Sequence, residues 1–137
     1  MSEGLKYQEA ALKMLKALYQ GNHHSIALSL NNVGVAYGKL GNTKEELKYK
    51  KQALNMLKEQ YQSNYHDIAL CLNSVGLAYQ NLGKISDGLK YQELALELYL
   101  ALYKGNHPDI ASSLNNVGVA YGKLGNIKEE LKLKNKH

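Results

Sequence analysis

Neither tryptophan nor phenylalanine occurs in this chain, arginine is absent, and proline and cysteine occur once each, as Pro108 and Cys71. Each gap excludes something. The eleven tyrosines supply all the aromatic bulk, so every aromatic core position brings a hydroxyl that must reach water or a partner. A lone cysteine excludes a disulfide framework and any CxxC site. On a helix it reads as a small buried hydrophobe rather than a nucleophile. All seventeen basic side chains are lysine, so the usual reader of guanine edges and bidentate clamp on phosphate is missing. The net charge of +5 is therefore a weak argument for nucleic acid. No apolar run approaches the roughly 18 residues of a membrane span, and the opening MSEGLKYQEA lacks the charged-then-apolar pattern of a signal peptide. The expected compartment is the cytoplasm, although export by a route without a cleavable signal would leave no trace in such a sequence.

What the chain does have is repetition. Residues 30–42 and 114–126 both read LNNVGVAYGKLGN, and residues 72–84 read LNSVGLAYQNLGK. Gly34, Gly76 and Gly118 are spaced 42 apart, as are Tyr37, Tyr79 and Tyr121 and the glycines Gly41, Gly83 and Gly125. A second half-unit recurs in phase through Leu5, Leu47, Leu89 and Leu131, through Ala11, Ala53 and Ala95, and through Tyr19, Tyr61 and Tyr103. Residues 2–23 match 86–107 better than 44–65, so the duplicated unit is about 84 residues, or two repeats.

Both half-units carry a helical period. Ile26, Leu30, Val33, Tyr37 and Leu40 form one apolar stripe, and Leu47, Leu54, Leu57 and Tyr61 form another. Gly41 suits the left-handed position just past a helix end, and Asn42 with Glu45 suits an N-cap followed by a carboxylate three residues on. The spacing predicts about seven helices, near 2–20, 25–39, 43–62, 67–81, 85–104, 108–123 and 127–136, and no strand. Short connections make neighbouring helices antiparallel. Such pairs bury their apolar faces by stacking, which gives an all-α superhelical solenoid.

Several of these positions resemble the tetratricopeptide repeat. From Ala27 a unit reads A-x-x-L-x-x-V-G-x-x-Y-x-x-x-G, followed later by A-L at 53–54. The glycines at 34, 76 and 118, the tyrosines at 37, 79 and 121 and the alanines at 53 and 95 match that motif, with Leu30, Leu72 and Leu114 where it often has Trp. The 42-residue period and the phrase HPDIASSLNNVGVAYGKLGN at 107–126 are similar to the longer repeats of kinesin light chain. The resemblance covers the whole chain and implies one domain, 1–137, with a partial unit 1–22, repeats 23–64 and 65–106, and a partial repeat 107–137. The second helices depart from the motif. Gly4, Glu46, Gly88 and Glu130 stand where it has a small Ala, and Gln8, Lys50, Gln92 and Lys134 where it has an aromatic residue. Glu46/Lys50 and Glu130/Lys134 read as mild surface i, i+4 pairs. The second helix is then expected to be looser or rotated, packed through Leu47, Tyr49, Ala53 and Leu54.

The resemblance also implies a concave groove lined by the first helix of each pair. Carried over position by position, its rows are Asn31/Asn73/Asn115, Val35/Leu77/Val119, Gly38/Gln80/Gly122 and Lys39/Asn81/Lys123, with Leu28/Leu70/Ser112 beside them. Asn offers both a donor and an acceptor, so a ladder of Asn can hold an extended peptide without reading its sequence. Lys39 and Lys123 favour an acidic residue, and the likeness to kinesin light chain implies acidic peptides as a ligand class. The first and third groove helices are identical at these rows apart from the Leu28/Ser112 position, so discrimination should lie in the middle one, at Ser74, Leu77, Gln80 and Asn81.

No nucleophile–base pair, phosphate loop or paired catalytic carboxylate is evident. The expectation is a non-enzymatic protein without cofactor. His23, His24, His66 and His107 fall in inter-unit loops that stacking separates by about 10 Å, which suits capping or loop packing rather than a metal. The leading expectation is an interaction module that binds a partner peptide or helix. The alternative is a self-assembling array, head-to-tail or swapped through uncapped ends: the first helix keeps apolar residues as though another should cover it. A third reading, non-specific nucleic-acid binding, rests on lysines of the second helices such as Lys44, Lys48, Lys50, Lys51 and Lys58. Those are expected to form a solvated outer face.

Overall fold

The computed structural model describes residues 3–21, 23–59 and 65–135. Tyr61, expected at a helix end, lies outside them. Six helices account for nearly all the described residues, with no strand among them: α1 Glu3–Leu18, α2 His24–Lys39, α3 Thr43–Glu59, α4 Tyr65–Asn81, α5 Ile85–Leu102 and α6 Pro108–Asn135. Each packs on the next in an all-α solenoid. The main core cluster runs from Leu5 and Leu12 through Ile26, Leu30, Val33, Leu54 and Leu57 to Leu72, Val75 and Ala95, and two smaller ones, around Tyr99 and Ile110 and around Leu89 and Ala120, seat α6. These are the residues at helical spacing, and each Leu or Ile so buried contributes about 1.5–3 kcal/mol.

The turns follow the glycines. Gly21, Gly41, Gly83 and Gly105 all have φ between 73° and 82°, a region that costs other L-residues about 1–2 kcal/mol. At the first hairpin Asn42 N–H donates to Tyr37 O at 2.9 Å, and Lys84 N–H repeats that bond to Tyr79 O at 2.9 Å in the second. Carbonyls left over at the helix end are thereby satisfied. Asn42 Oδ1 accepts from the Glu45 N–H at 3.3 Å, the cap its position suggests.

Two hairpins, α2/α3 and α4/α5, solve one packing problem in opposite ways. In the first, the small residues are on α2. A Cβ on Gly34 would lie 3.0 Å from the Glu46 carbonyl oxygen, and one on Gly38 would lie 2.6 Å from the Glu46 carboxylate. Glu46 and Lys50 are buried there, 8% and 6% exposed, with Nζ donating to Oε2 at 2.6 Å. For this pair the expectation of a mild surface bond is therefore wrong; the side chains of Glu130 and Lys134 lie outside the described residues. The pair faces α2, and Lys50 does not belong to the solvated lysine face. Ala53 and Leu54 are buried as expected, whereas Leu47 and Tyr49 are only partly so. In the second hairpin the small residue moves across. Gly88 opposes Gly76, where a Cβ on Gly88 would lie 2.5 Å from the Gly76 carbonyl oxygen. The larger side chain is Gln80, whose Nε2 donates to Gln92 Oε1 at 2.9 Å.

The sixth helix departs from the seven-helix expectation. Residues 108–123 and 127–136 were expected as two helices around a turn at Gly125. Instead α6 runs unbroken from Pro108 to Asn135, and Gly125 is helical. The thirteen residues at 114–126 are identical to those that turn at Gly41. What differs is the segment that follows: at the first copy α3 lies over α2, with Leu54 and Leu57 buried, whereas after Gly125 the chain continues the same helix. A turn gives up helical hydrogen bonds and is sustained only when the fold-back segment buries enough surface to offset them.

Candidate interaction groove

The equivalent rows of the first helices α2, α4 and α6 differ in status. Leu28, Leu70, Leu77 and Val119 are each close to half exposed, an apolar line that runs over successive repeats. Between α2 and α4 lies a pocket of about 100 Å³ lined by Leu28 and Asn31, by Leu70, Cys71 and Ser74, and by Asp67 and Leu57. Val35 and Lys39 line a second hollow, towards α1. Lys39, Asn81 and Lys123 are exposed, and so are Asn115 and Val119.

Asn31 and Asn73 are half buried, and each keeps a buried Oδ1 without a hydrogen-bond partner. Such a group costs about 1–3 kcal/mol. The two fall at repeat-equivalent positions on α2 and α4. The Asn73 amide donates to the Tyr99 hydroxyl; burial, and after it the nearby Asp109 charge, nevertheless pushes the Tyr99 phenol up to about 12. That bond fixes Asn73 against α5.

Gln80, expected in the groove, does not face it. It is 8% exposed and its amide is engaged by Gln92. Gly38 and Gln80 belong to the hairpin interfaces, where the large Gln80 stands in for the missing side chain of Gly88, whereas Gly122 faces open space. Asp67, Cys71 and Leu57 line the pocket and were not anticipated there. The one available signal was the recurrence of an acid 43 residues after each loop histidine, His24 to Asp67 and His66 to Asp109. Burial pushes the Cys71 thiol up to about 11, so it is protonated at neutral pH and reads as wall rather than nucleophile.

The histidines stitch repeats together. His23 Nδ1 accepts from the Ser25 N–H at 3.1 Å and His107 Nδ1 from the Asp109 N–H at 3.0 Å, so both cap helices. His24 Nε2 stands 3.5 Å from Asp67 Oδ2, and His66 Nε2 stands 3.2 Å from Asp109 Oδ2. The Tyr103 hydroxyl donates to the same Asp109 oxygen at 2.8 Å; it is the main reason the Asp109 carboxyl is held below its ordinary range, with His66 and His107 adding to the effect against desolvation. Among the described residues no three of His, Cys, Asp or Glu converge as metal ligands would. Tyrosines make the equivalent stitch on the second-helix side: Tyr37 OH donates to Glu9 at 2.7 Å, Lys51 Nζ donates to Tyr79 OH at 3.0 Å, and Tyr121 OH donates to Glu93.

A family model for the tetratricopeptide repeat matches residues 1–59 and 67–137. The fold is similar to the nearly identical TPR-like repeats of a Podosopora anserina protein assigned as a kinesin light chain, with a TM-score of 0.74 and 18% identity over 96% of this chain and 62% of that one. A variant of those repeats with a single Gln-to-Met substitution gives 0.76 at 17% identity over the same shares. BtubC (BKLC) from P. vanneervenii gives 0.78 at 20% identity over 90% of this chain and 50% of that one. The chain thus spans between half and two thirds of the length of these structures. No curated protein matches it at a significant level.

Proposed function

The chain belongs to the tetratricopeptide repeat family, and from that premise we propose that it is a non-enzymatic interaction module whose α2–α4–α6 face binds an extended segment of a partner protein. The observation that carries this is the pocket between α2 and α4, where half-exposed Leu28 and Leu70 sit beside Asn31 and Ser74, an apolar wall with polar groups at its side. The exposed amide nitrogen and hydroxyl of such a wall can pair with the backbone of a bound strand. Lys39 and Lys123 at one side favour an acidic residue there, whereas Asp67 in the pocket disfavours one near the N-terminal ends of α2 and α4. The fitting ligand is therefore acidic toward one end and apolar toward the other.

The test is titration with peptides of that polarity, its reverse, and a neutral control. Asn73→Ala is expected to weaken the matching peptide about five- to tenfold, the worth of one hydrogen bond. Lys123→Ala should weaken it less, and only at low salt. If neither substitution alters the affinity of any peptide that binds, the groove reading fails.

A further inference from the structure

The pocket between α2 and α4 turns on Leu57. That α3 residue is 2% exposed, with Ala27 and Leu28 of α2 and Leu70 and Cys71 of α4 around it. One repeat on, its place is taken by Tyr99. There the ring takes up the room: Tyr99 is 2% exposed and packs with Ala69 and Ile110, and its hydroxyl accepts from the Asn73 amide. Leucine in place of that ring leaves about 100 Å³, the share of about three waters in the liquid. All of the walls come from helices inside the stack, with α1 before them and α5 after. Asp67 lines the same pocket. Its side chain is 35% exposed and stands 3.5 Å from His24 Nε2 and 3.9 Å from His66 Nδ1, and among the described residues no lysine pairs with it. Its charge is felt inside: burial first, and then Asp67, push the Cys71 thiol up, against a smaller opposite effect of Lys50.

A carboxylate beside an apolar hollow suits one kind of side chain above others, a methylene stem that ends in a cation. An acidic side chain is repelled there, and a purely aliphatic one leaves the charge without a partner. We propose that this pocket receives a long basic side chain of the partner segment, lysine or arginine, with its stem against Leu28, Leu57 and Leu70 and its charged head on Asp67. The proposal rests on the groove reading and names what the apolar end of the ligand carries: one cation among its apolar residues, at the opposite end from the acidic residue that Lys39 and Lys123 favour. It also sets the register of the segment, because Tyr99 closes the equivalent place one repeat on.

Titration of the full chain with a blocked peptide, acidic at one end and apolar at the other, tests it. Each apolar-end position in turn is set to Lys, Arg, norleucine or Glu. At one position Lys and Arg should bind about fivefold tighter than norleucine at low salt, with the difference shrinking as salt rises, and Glu should bind least. Asp67→Asn should erase the preference for the cation and leave the norleucine peptide's affinity as it was, whereas loss of a structural role would move both peptides alike. Leu57→Tyr copies the closed junction and should weaken the Lys peptide about tenfold or more, because the stem loses its place. Circular dichroism checks that this variant folds; where it does not, Asp67→Asn decides. Norleucine that binds as tightly as Lys at every position, or a preference for Lys that survives Asp67→Asn, overturns the proposal and leaves the groove reading standing. A chain that binds none of these peptides overturns both.

Discussion

Residues 30–42 and 114–126 are the same thirteen residues in two conformations. In the first, the chain turns at Gly41, with φ at 82°, and α3 returns over α2. In the third, the helix continues straight through Gly125. The glycine, the asparagine after it and the leucine before it are common to both, so the stop signal at a helix end is permissive rather than commanding. What decides is the cover. Along α3, Glu46, Lys50, Ala53, Leu54 and Leu57 are all buried, whereas among the described residues no helix returns over α6. Helical hydrogen bonds are local and come at once; the hairpin must recover their loss through contacts made at a distance.

The comparison can be broken or sharpened by substitution, starting where cover matters most. Glu46→Ala leaves Lys50 buried without its partner, and unfolding should cost about 3–5 kcal/mol less than in the wild type, read by chemical denaturation. Next comes the glycine under that pair. Gly34→Ala pushes a Cβ to 3.0 Å from the Glu46 backbone oxygen and 3.1 Å from Lys50 Cγ, for a loss of about 1–3 kcal/mol. The same change at Gly118 meets open space. It should gain up to about 1 kcal/mol from helix propensity.

A smaller effect concerns pH. The Glu9 carboxylate that accepts from the Tyr37 hydroxyl, helped by burial, holds that phenol up to about 12. An unfolded tyrosine titrates near 10. Tyr37 therefore contributes stability that is fully present below pH 10 and is lost as pH rises toward 12. Tyr37→Phe should flatten that alkaline decline in thermal unfolding. Tyr121→Phe should flatten it less, since the Tyr121 bond to Glu93 lies open to water.

Much of this was legible in the chain. The 42-residue period, the turn glycines at 41 and 83 and the capping Asn42 are local signals, and they placed α1 to α5 and the groove helices. The burial of Glu46 and Lys50 was not legible, because the room they fill exists only once Gly34 and Gly38 are opposite them on another helix. Gln80 misled for the same reason. By spacing it belongs with the groove, but Gly88 across the hairpin leaves a space that draws its amide inward to Gln92. Asp67 and Cys71 gained their place in the pocket from the stacking of α4 on α2 and α3, which no run of sequence displays. The straightness of α6 could not be read from 114–126 at all, since those residues turn elsewhere in the same chain.

The central claim is that cover, and not the local phrase, sets the conformation, and paired alanine substitutions at the two equivalent glycines test it most directly. Gly41→Ala puts a Cβ on a left-handed residue and should destabilise the chain by about 1–2 kcal/mol. Gly125→Ala replaces a glycine inside a helix and should stabilise it by about 0.5–1 kcal/mol. Opposite signs in equilibrium unfolding are the predicted result; equal losses at both glycines would mean that the third copy turns as the first does, and would contradict the account.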